Sequence, residues 1–445
     1  MGGEWRYLPF TEAVRVNPRV ALNRGETYPF VDMQSLDPSK PTVSPSGSRV
    51  FTGGGSRFEP YDTLMARITP CLENGKIARY VPSEENDGPA FGSTEFIVIR
   101  GREGVTDNDF AFYLTRWSEF RSFAIAQMSG SSGRQRVPAE SLAGFEVPVP
   151  PLPEQRAIAH ILGTLDDKIE LNRKMNETLE AMAQALFKSW FVDFDPVVVN
   201  ALKASNSIPD KFAERAAHYR ENPDALGLPE HILRLFPDRF VDSELGPIPE
   251  GWEVATIGAE FNLTMGQSPP SSTYNEKGNG LPFFQGRRDF GFRYPSYRVY
   301  CTVPTRIAHA GDTLVSVRAP VGDINMAYET CCIGRGVAAI RHKSGSRSYT
   351  YYAMRSLGEW FKSYESEGTV FGAINKKQFQ SLPSIAPQPD LVLLFEELVY
   401  PLDENIRSLE EEIRTLSRTR DTLLPKLISG ELRVPDVEKI LEDVL

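Results

Sequence analysis

The chain has 445 residues, 41% of them hydrophobic and 24% charged, and a formal net charge of −10 at pH 7. This length is too great for one ordinary core and favours two domains with connecting elements. The net acidity argues against a non-specific nucleic-acid binder, because phosphate contacts dominate the affinity of such proteins. No stretch approaches the ~18 apolar residues of a membrane helix, so no membrane association is expected.

The sparse cysteines and histidines indicate the compartment and the chemistry. Four cysteines form no CxxC pair, and five histidines show no metal-ligand spacing. The N-terminal sequence lacks the basic and apolar regions of a signal peptide. We therefore expect a cytoplasmic protein without a metal site.

Residues 1–150 predict a first domain of mixed α and β structure. Strand-like runs occur at Glu95–Arg100 and Ala143–Val149, and a helical run occurs at Asp109–Trp117. Glycine-rich turns separate such runs, for example around residues 53–55 and 129–133. The many short runs and turns indicate a loop-rich fold.

Residues 151–195 predict a long helix, with Pro153 in its first turn. Its apolar residues recur with the seven-residue period of a coiled coil. The two rows are Ile158, Leu165, Asn172, Leu179, Leu186 and Leu162, Ile169, Asn176, Ala183, Trp190. The two asparagines either set the register of a buried seam or mark a stretch that faces solvent or a partner; the sequence leaves both open.

The remaining chain predicts a linker, a second domain, a second helix and a tail. Residues 196–245 are rich in Pro and Asp and indicate a partly ordered linker with a short amphipathic piece around Asp210–Arg220. A second mixed domain follows at 246–388, a second coiled-coil helix at 389–432 and a tail at 433–445. Pro401 should kink or restart that helix. The seam rows are Phe395, Leu402, Leu409, Leu416, Leu423 and Val399, Ile406, Ile413, Arg420, Leu427.

The two halves of the chain repeat each other. Residues 137–190 align without a gap with 374–427 at an offset of 237, which places Asp166 against Asp403. Upstream, Asp62–Leu64 align with Asp312–Leu314 at an offset of 250. A period this long indicates a duplicated domain with a duplicated helix rather than a solenoid. Each helix has an unfilled apolar stripe that the other could cover, in a parallel or an antiparallel pair.

Basic residues concentrate in the turn-rich loops of both domains. Residues 251–385 carry 15 basic and 10 acidic residues, whereas residues 386–445 carry 7 and 14. Arginine reads guanine, glutamine reads adenine, and lysine mostly contacts phosphate. We therefore predict local DNA contacts, although ordinary surface charge is the alternative for any single residue. The candidates are Arg57, Arg67, Arg134, Gln135, Arg136, Arg287, Arg288, Arg318, Arg335, Lys376 and Lys377.

No catalytic residue is predicted. The sequence has no P-loop and no motif for amino-methylation of a base with S-adenosylmethionine. A nuclease pattern at Asp210 and Glu214 lacks a suitably spaced lysine. A lone enzyme acting on nucleic acid therefore has no visible cofactor site.

Several long segments resemble the specificity subunit of type I restriction–modification enzymes. They are Pro150–His160, Leu165–Asn172, Phe187–Pro196, Gly246–Glu253, Cys332–Ala338 and Leu423–Leu432. The resemblance implies an α+β protein in which two long antiparallel coiled-coil helices separate two similar mixed α/β target recognition domains. Each domain would read one half of a bipartite site in double-stranded DNA, and the helices would set the gap.

The resemblance also implies the partners. Two modification subunits would dock on the helices and bind S-adenosylmethionine, so this chain would bind no cofactor, and restriction subunits would complete the nuclease. Recognition domains of this family vary almost freely in sequence, so the basic candidates rest on loop chemistry alone. The alternative function is a coiled-coil scaffold that links two protein-binding domains.

Overall fold

The computed structural model describes residues 4–83, 86–131, 133–366 and 372–437. The chain forms two compact units, Met1–Asn172 with Glu412–Leu445 and Arg173–Glu411. Residues 438–445 of the predicted tail lie outside the described residues. Within the described ranges, no helix has the length and hydropathy of a membrane span.

The first unit contains the N-terminal mixed domain and the first part of a long helix. Its strands and helices in chain order are β1 Arg6–Pro9, α1 Phe10–Ala13, β2 Val14–Val16, β3 Thr27–Val31, β4 Thr42–Val43, β5 Gly47–Val50, β6 Ser56–Phe58, β7 Thr63–Ala66, β8 Ile77–Tyr80, β9 Ala90–Gly92, β10 Phe96–Gly101, α2 Asn108–Arg116, α3 Ser118–Ala126, β11 Glu146–Val149 and α4 Leu152–Phe191. The helix predicted at Asp109–Trp117 is confirmed as α2, which begins after its N-cap Asp107.

Two sheets form the body of this domain. One has the order β2-β10-β7-β8-β4 and the other the order β5-β3-β9-β6, while β1 and β11 form a separate pair. Every residue of β7 is buried, which explains why the run Thr63–Ala66 shows no polar alternation. The interior strands β7 and β10 pack against α2, α3 and the start of α4 through one apolar cluster.

The second unit begins within α4 and contains the second mixed domain. Its further elements are α5 Asp195–Ala204, α6 Ala213–Glu221, α7 Glu230–Leu233, β12 Phe240–Val241, β13 Ile248–Pro249, β14 Glu253–Thr256, α8 Ile257–Glu260, β15 Phe261–Met265, β16 Tyr274–Asn275, β17 Leu281–Phe284, β18 Tyr300–Cys301, β19 Ile307–Ala308, β20 Thr313–Val317, β21 Val321–Met326, β22 Cys331–Ile333, β23 Val337–His342, α9 Arg347–Ser356, α10 Gly358–Ser366, α11 Lys376–Gln380, β24 Pro383–Ala386 and α12 Pro389–Ser429.

The sheets of the second domain repeat those of the first. The order β15-β23-β20-β21 corresponds to β2-β10-β7-β8, and the order β18-β17-β22-β19 corresponds to β5-β3-β9-β6. The pair β14-β24 corresponds to β1-β11. Each copy also has an equivalent parallel strand pair, β3 with β9 and β17 with β22, and the first copy has a second parallel pair, β4 with β8. The duplication predicted from the sequence is therefore a duplication of topology.

The long helices pair antiparallel within each unit. In the first unit Asp166 of α4 contacts Arg420 of α12 at 2.7 Å, and Lys168 contacts Glu412 at 3.3 Å. In the second unit Asn176 donates to Glu410 at 2.9 Å, and the Phe187 ring lies 5.6 Å from that of Phe395. Positions that rise along α4 meet positions that fall along α12, so the antiparallel arrangement implied by the resemblance is confirmed inside each unit.

The predicted seam rows are the buried faces of these helices. In α4 only Leu179 and Leu186 of the ten seam positions are partly exposed. Asn172 and Asn176 are 0% and 1% exposed, so the interpretation of both as buried seam residues is confirmed. A buried asparagine restricts coiled-coil register at some cost in stability.

Pro401 does not restart the second helix, and the kink predicted as the alternative stays a prediction. α12 continues from Pro389 to Ser429. Proline removes one N–H and leaves the carbonyl of the residue four positions earlier, Glu397, without its helical donor. Both residues are exposed, so water can hydrogen-bond that carbonyl.

The stretch 196–245 is more ordered than the predicted linker, and α6 coincides with most of the amphipathic piece predicted around Asp210–Arg220. α5, α6 and α7 lie in this stretch, and β12 pairs with β13. Val197, Val198, Phe212 and Phe236 are buried in the core of the second unit. These apolar residues are too widely spaced for one amphipathic pattern, since they belong to three short helices and the turns between them.

Each unit holds a buried carboxylate at the matching position of its helix. Asp166 is 1% exposed and accepts hydrogen bonds from Tyr113 of α2 at 2.9 Å and from Arg420 at 2.7 Å. Asp403 is 6% exposed and accepts from Tyr352 of α9 at 3.2 Å and from Arg293 at 2.8 Å. Burial, and to a smaller extent the charge of Asp166, raise the pKa of Tyr113, so its hydroxyl stays protonated and donates.

Loss of the Arg420 guanidinium should destabilise the first unit. Arg420→Ala leaves Asp166 buried without its closest cation, which should lower the free energy of unfolding by about 3 kcal/mol. Arg418→Ala is the control, because Arg418 is exposed on the same helix. This substitution should change the free energy of unfolding by no more than about 0.5 kcal/mol. Chemical denaturation followed by circular dichroism measures both. Equal losses in the two variants would contradict the stabilising role of the buried pair.

Candidate nucleic-acid interface

Five loop segments of the first domain meet at one end of its sheets. The amide of Arg67 at the end of β7 donates to Glu95 in the β9–β10 turn at 2.9 Å, and Val137 donates to Arg67 at 2.8 Å. The hydroxyl of Ser56, the first residue of β6, donates to the carbonyl of Phe96 at 2.9 Å. Asn17 after β2 donates to Val98 at 2.7 Å. We call this group the first loop cluster, residues 17–21, 53–57, 66–70, 92–96 and 134–137.

A cationic cleft of about 670 Å³ opens in the first loop cluster. Arg19, Arg57 and Arg67 line it, together with Asn17 and Thr94, and its described lining contains no carboxylate. Arg57 lies 4.8 Å above the Phe51 ring and donates weakly to the backbone at 3.4 Å, which fixes its direction. The structure therefore brings the sequence candidates Arg57 and Arg67 together and adds Arg19.

The edge of the same cluster is formed by Arg134, Gln135 and Arg136, which differ in exposure and in the hydrogen bonds they already make. Arg134 is exposed. The carbonyl of Gln135 accepts from Thr69 at 3.0 Å. Arg136 forms a bidentate pair with Glu95, at 2.9 and 2.7 Å, and these hydrogen bonds lower the pKa of Glu95. Arg136 thus already holds a carboxylate, although 43% of its side chain remains exposed.

The second domain builds an equivalent cluster from the matching loops. Val317 at the end of β20 donates to Gly336 in the β22–β23 turn at 2.9 Å, and Ile374 donates to Val317 at 3.1 Å. The amide of Ile333 donates to Arg306 at 3.0 Å, and that of Arg335 to the Ser268 hydroxyl at 3.3 Å. The second loop cluster comprises residues 266–270, 304–306, 316–320, 333–336 and 372–377.

The second loop cluster carries cations without a carboxylate in its sequence. Arg318 and Arg335 lie on adjacent segments, and both are exposed, as are Lys376 and Lys377 at the start of α11. Asn375 caps α11 through a capping box with Gln378, which fixes the backbone that carries the two lysines. Exposed cations at the ends of ordered segments can reach phosphates or base edges.

Arg287 and Arg288 occupy a different place in the second unit. Arg287 pairs with Asp323 at 3.0 Å and lines a cleft of about 430 Å³ that Gln184 of α4 also lines. Arg288 is exposed beside it. The short turn Arg287–Asp289 begins after Gly286. These two arginines therefore lie near the helix side of the domain, and their contact with DNA stays a prediction.

Sequence reasoning missed Arg19 and Arg306. Arg19 follows Asn17-Pro18 in a loop without a glycine or aromatic signature, and Arg306 precedes the two-residue strand β19. In the alignment at the offset of 250, Arg306 corresponds to Ser56 of the first loop cluster. That alignment would therefore have identified Arg306 as a residue of the matching loop. Arg19 has no such signal, because only the folded loops bring it beside Arg57.

The chain is similar in sequence to two curated relatives and in fold to one solved structure. The chain is 28% identical over 377 residues to the putative type I restriction enzyme MjaX specificity subunit of Methanocaldococcus jannaschii, covering 84% of this chain and 79% of the relative. It is 27% identical over 406 residues to the type I restriction enzyme HindI specificity subunit of Haemophilus influenzae, covering 83% and 86%. The crystal structure of a type I restriction–modification S subunit from M. genitalium has the same fold, with a TM-score of 0.52, 15% identity and 96% coverage of both chains.

A family model matches both copies of the repeat. The model described as type I restriction modification DNA specificity domain matches residues 65–181 and 249–389, which together are more than half of the chain. Each match begins in a mixed domain, and the first extends into α4. The chain therefore belongs to the family of type I restriction modification DNA specificity domains.

Proposed function

We propose that this chain gives a type I restriction–modification complex its DNA sequence specificity. Each mixed domain reads one half of a bipartite site in double-stranded DNA through its loop cluster, and the paired helices set the gap. The observation that carries this proposal is the presence of two equivalent cationic loop clusters on duplicated domains. Arginines there supply bidentate readout of guanine, and lysines supply phosphate contacts.

The distribution of charge supports specific rather than non-specific binding. Residues 251–385 are net basic, while the stretches that contain most of the helices, 151–250 and 386–445, carry 11 basic against 17 acidic residues and 7 against 14. Phosphates are repelled by the acidic helices and attracted by the loops. DNA should therefore bind only where the loop clusters present arginine and lysine.

The helices carry apolar side chains that a partner could cover. Met175 and Met182 of α4 are 44% and 54% exposed, and Leu393 and Tyr400 of α12 are 52% and 41% exposed. In our proposal two modification subunits dock on these helices and bring S-adenosylmethionine, and restriction subunits join them. The chain itself performs no catalysis and binds no cofactor in this scheme.

Methylome sequencing of the host with and without this chain tests the proposal. Its presence should add methylation at one bipartite motif with a fixed gap. A gel-shift assay on random-sequence duplexes, with and without the modification subunit, separates this function from a protein-linking scaffold. A scaffold would leave both the methylome and the duplexes unchanged.

Exchange of one domain should change only one half of the recognised site. Replacing residues 1–150 with the matching domain of another family member replaces the first loop cluster and leaves the second intact. The new methylation motif should keep one original half and the original gap. A change in both halves, or in neither, would contradict two independent readers.

Lengthening both helices should lengthen the gap. Asn176 and Glu410 lie opposite each other in the antiparallel pair, so seven-residue insertions after each preserve both seam rows. Two added helical turns extend the pair by about 10 Å, which is about three base pairs of DNA. Methylation should move to sites with both half-sites retained and the longer gap. The original gap in the mutant methylome would disprove the ruler.

The exposed cations should separate into base readers and phosphate contacts. Arg318→Ala or Arg335→Ala in a base-reading role should cost about 1–3 kcal/mol of binding and relax one position of the second half-site. Lys376→Ala should weaken all sequences alike and reduce the salt slope by about one. Arg287→Ala and Arg288→Ala belong in the same series, with a smaller loss for Arg287 because Asp323 holds it.

Arg234→Ala is the matched control for this series. Arg234 is exposed on the short helix α7 and pairs with Glu230 at 3.4 Å. Its loss should change neither affinity nor salt slope. Binding titrations of each assembled complex at three salt concentrations provide the comparison. Wild-type values for all five test variants would place the interface elsewhere on the domain.

A further inference from the structure

Arg293 is a fully buried arginine at the junction of the second domain with its helices. Its side chain is 0% exposed. It donates to Asp403 of α12 at 2.8 Å and to the Tyr352 hydroxyl of α9 at 2.8 Å, and it lies 3.2 Å from Glu180 of α4. Its guanidinium also stacks 3.9 Å above the Tyr351 ring. One side chain of the recognition domain therefore contacts carboxylates on both long helices.

The charges around Arg293 are balanced and closely packed. Arg355 of α9 pairs with Glu180 and donates to the Tyr351 hydroxyl at 3.2 Å. Two arginines thus face two carboxylates, Glu180 and Asp403, that are each 6% exposed. A buried network of this kind adds little net stability compared with apolar packing, but it tolerates few alternative geometries.

The network is one of several contacts between this domain and the helices. Another group surrounds Phe395 of α12, where the Tyr349 ring of α9 lies 6.3 Å from Phe395 and 5.6 Å from Phe187 of α4, and where Glu396 accepts hydrogen bonds from the amides of Arg347 and Tyr349 at 2.9 and 3.2 Å. Glu180 lies seven residues before Phe187, which is about 10 Å along the helix. Contacts that are all grouped around one place on the helices leave the domain able to pivot about that place. A directional ionic contact 10 Å away restricts that pivot.

The first unit achieves the equivalent contact with a different arginine. Tyr113 and Arg116 of α2 match Tyr352 and Arg355 of α9, and Tyr113 donates to Asp166. The arginine closest to Asp166, however, is Arg420 of the paired helix at 2.7 Å, whereas Arg116 lies 3.6 Å from the carboxylate. The position of α4 that matches Arg420 at the offset of 237 is Ala183, which is small and buried. In the second unit the arginine is supplied by the recognition domain.

We propose that Arg293 is a positioning residue that fixes the orientation of the second recognition domain on the helices and so determines how strictly the gap of the DNA site is measured. The inference rests on the proposed function, in which the helices act as a ruler. Helices of fixed length can define a fixed gap only if the domain is held in one orientation on them. Arg293 itself touches no DNA in this scheme, so its loss relaxes the gap and leaves the bases of both half-sites unchanged.

The test uses the chain assembled with its modification subunits and duplexes that keep both half-sites while the gap varies by one or two base pairs. The variant is Arg293→Met with Asp403→Asn, which removes one charge of each sign and leaves Arg355 paired with Glu180. Tyr352→Phe is a milder second variant that keeps every ion pair. Leu314→Ala is the control, because Leu314 is buried in a cluster of the second domain that contains no helix residue.

We expect the affinity ratio between the native gap and a gap changed by one base pair to fall by about fivefold in the double variant, equivalent to about 1 kcal/mol. Tyr352→Phe should lower the ratio less than the double variant does. The single variant Arg293→Lys should give a ratio between those of the wild type and the double variant, because an ammonium cannot bridge both carboxylates in one plane. Leu314→Ala should lower the melting temperature and keep the wild-type ratio.

The outcomes separate the inference from the proposed function. If the wild-type complex binds all gaps equally, the ruler itself is wrong. If the wild type discriminates and both the double variant and Tyr352→Phe retain its gap profile, Arg293 does not position the domain. A loss of gap discrimination in Leu314→Ala equal to that in the double variant would also overturn the inference, since instability alone would then explain it.

Discussion

The antiparallel pairing of α4 with α12 is the constraint on which each unit depends. Each helix has an apolar seam that would otherwise face water, so the two helices bury each other. Apolar rows alone would tolerate a slip of one heptad. The buried polar contacts Asp166–Arg420 and Asn176–Glu410 would lose their partners in such a slip. Burying an unpaired charge costs several kcal/mol, so these contacts select one register.

The distribution of charge supports the proposal that an acidic chain recognises DNA locally. The acidic residues concentrate in the helical stretches, and the loop clusters carry arginine and lysine with Glu95 as the one acidic residue in their sequences. Glu95 holds Arg136 in place rather than cancelling a free cation. In the proposed function, repulsion along the helices would lower the affinity for arbitrary DNA, and the loop clusters would restore it where the bases match. Specificity is a difference between these two affinities, and the charge distribution increases that difference.

The parts of the fold that follow from local pattern could be predicted from the sequence. The heptad rows, the α2 helix and the duplication are visible because they depend on neighbouring residues or on a fixed offset. The packing of 196–245 was not visible, because Phe212 and Phe236 contact a core formed by distant elements. The continuity of α12 through Pro401 depends on the exposure of Glu397 and Pro401, which composition does not give.

The members of the two loop clusters were predicted in part for the same reason. Arg57, Arg67, Arg318 and Arg335 stand in turn-rich loops, and the structure places them in the two loop clusters, while their contact with DNA stays a prediction. Arg287 has the same sequence signature and yet pairs with Asp323 near α4. Loop composition identifies exposed arginines but not the direction in which a loop folds. That direction is set by contacts such as Val317 with Gly336, which join residues far apart in the chain.

The surroundings of Arg293 resemble those of Arg420 in the other unit, although the two arginines come from different elements. Both units bury an aspartate, a tyrosine and an arginine at the junction of domain and helix, but the arginine closest to the aspartate comes from α12 in one unit and from the mixed domain in the other. The two units therefore place a positive charge beside the matching carboxylate from different sequence positions. The loop clusters lie outside these buried networks, so their residues can change without disturbing the attachment of the domain. A protein whose recognition surface and whose domain attachment use separate residues can acquire new DNA targets while its helices and their spacing stay the same.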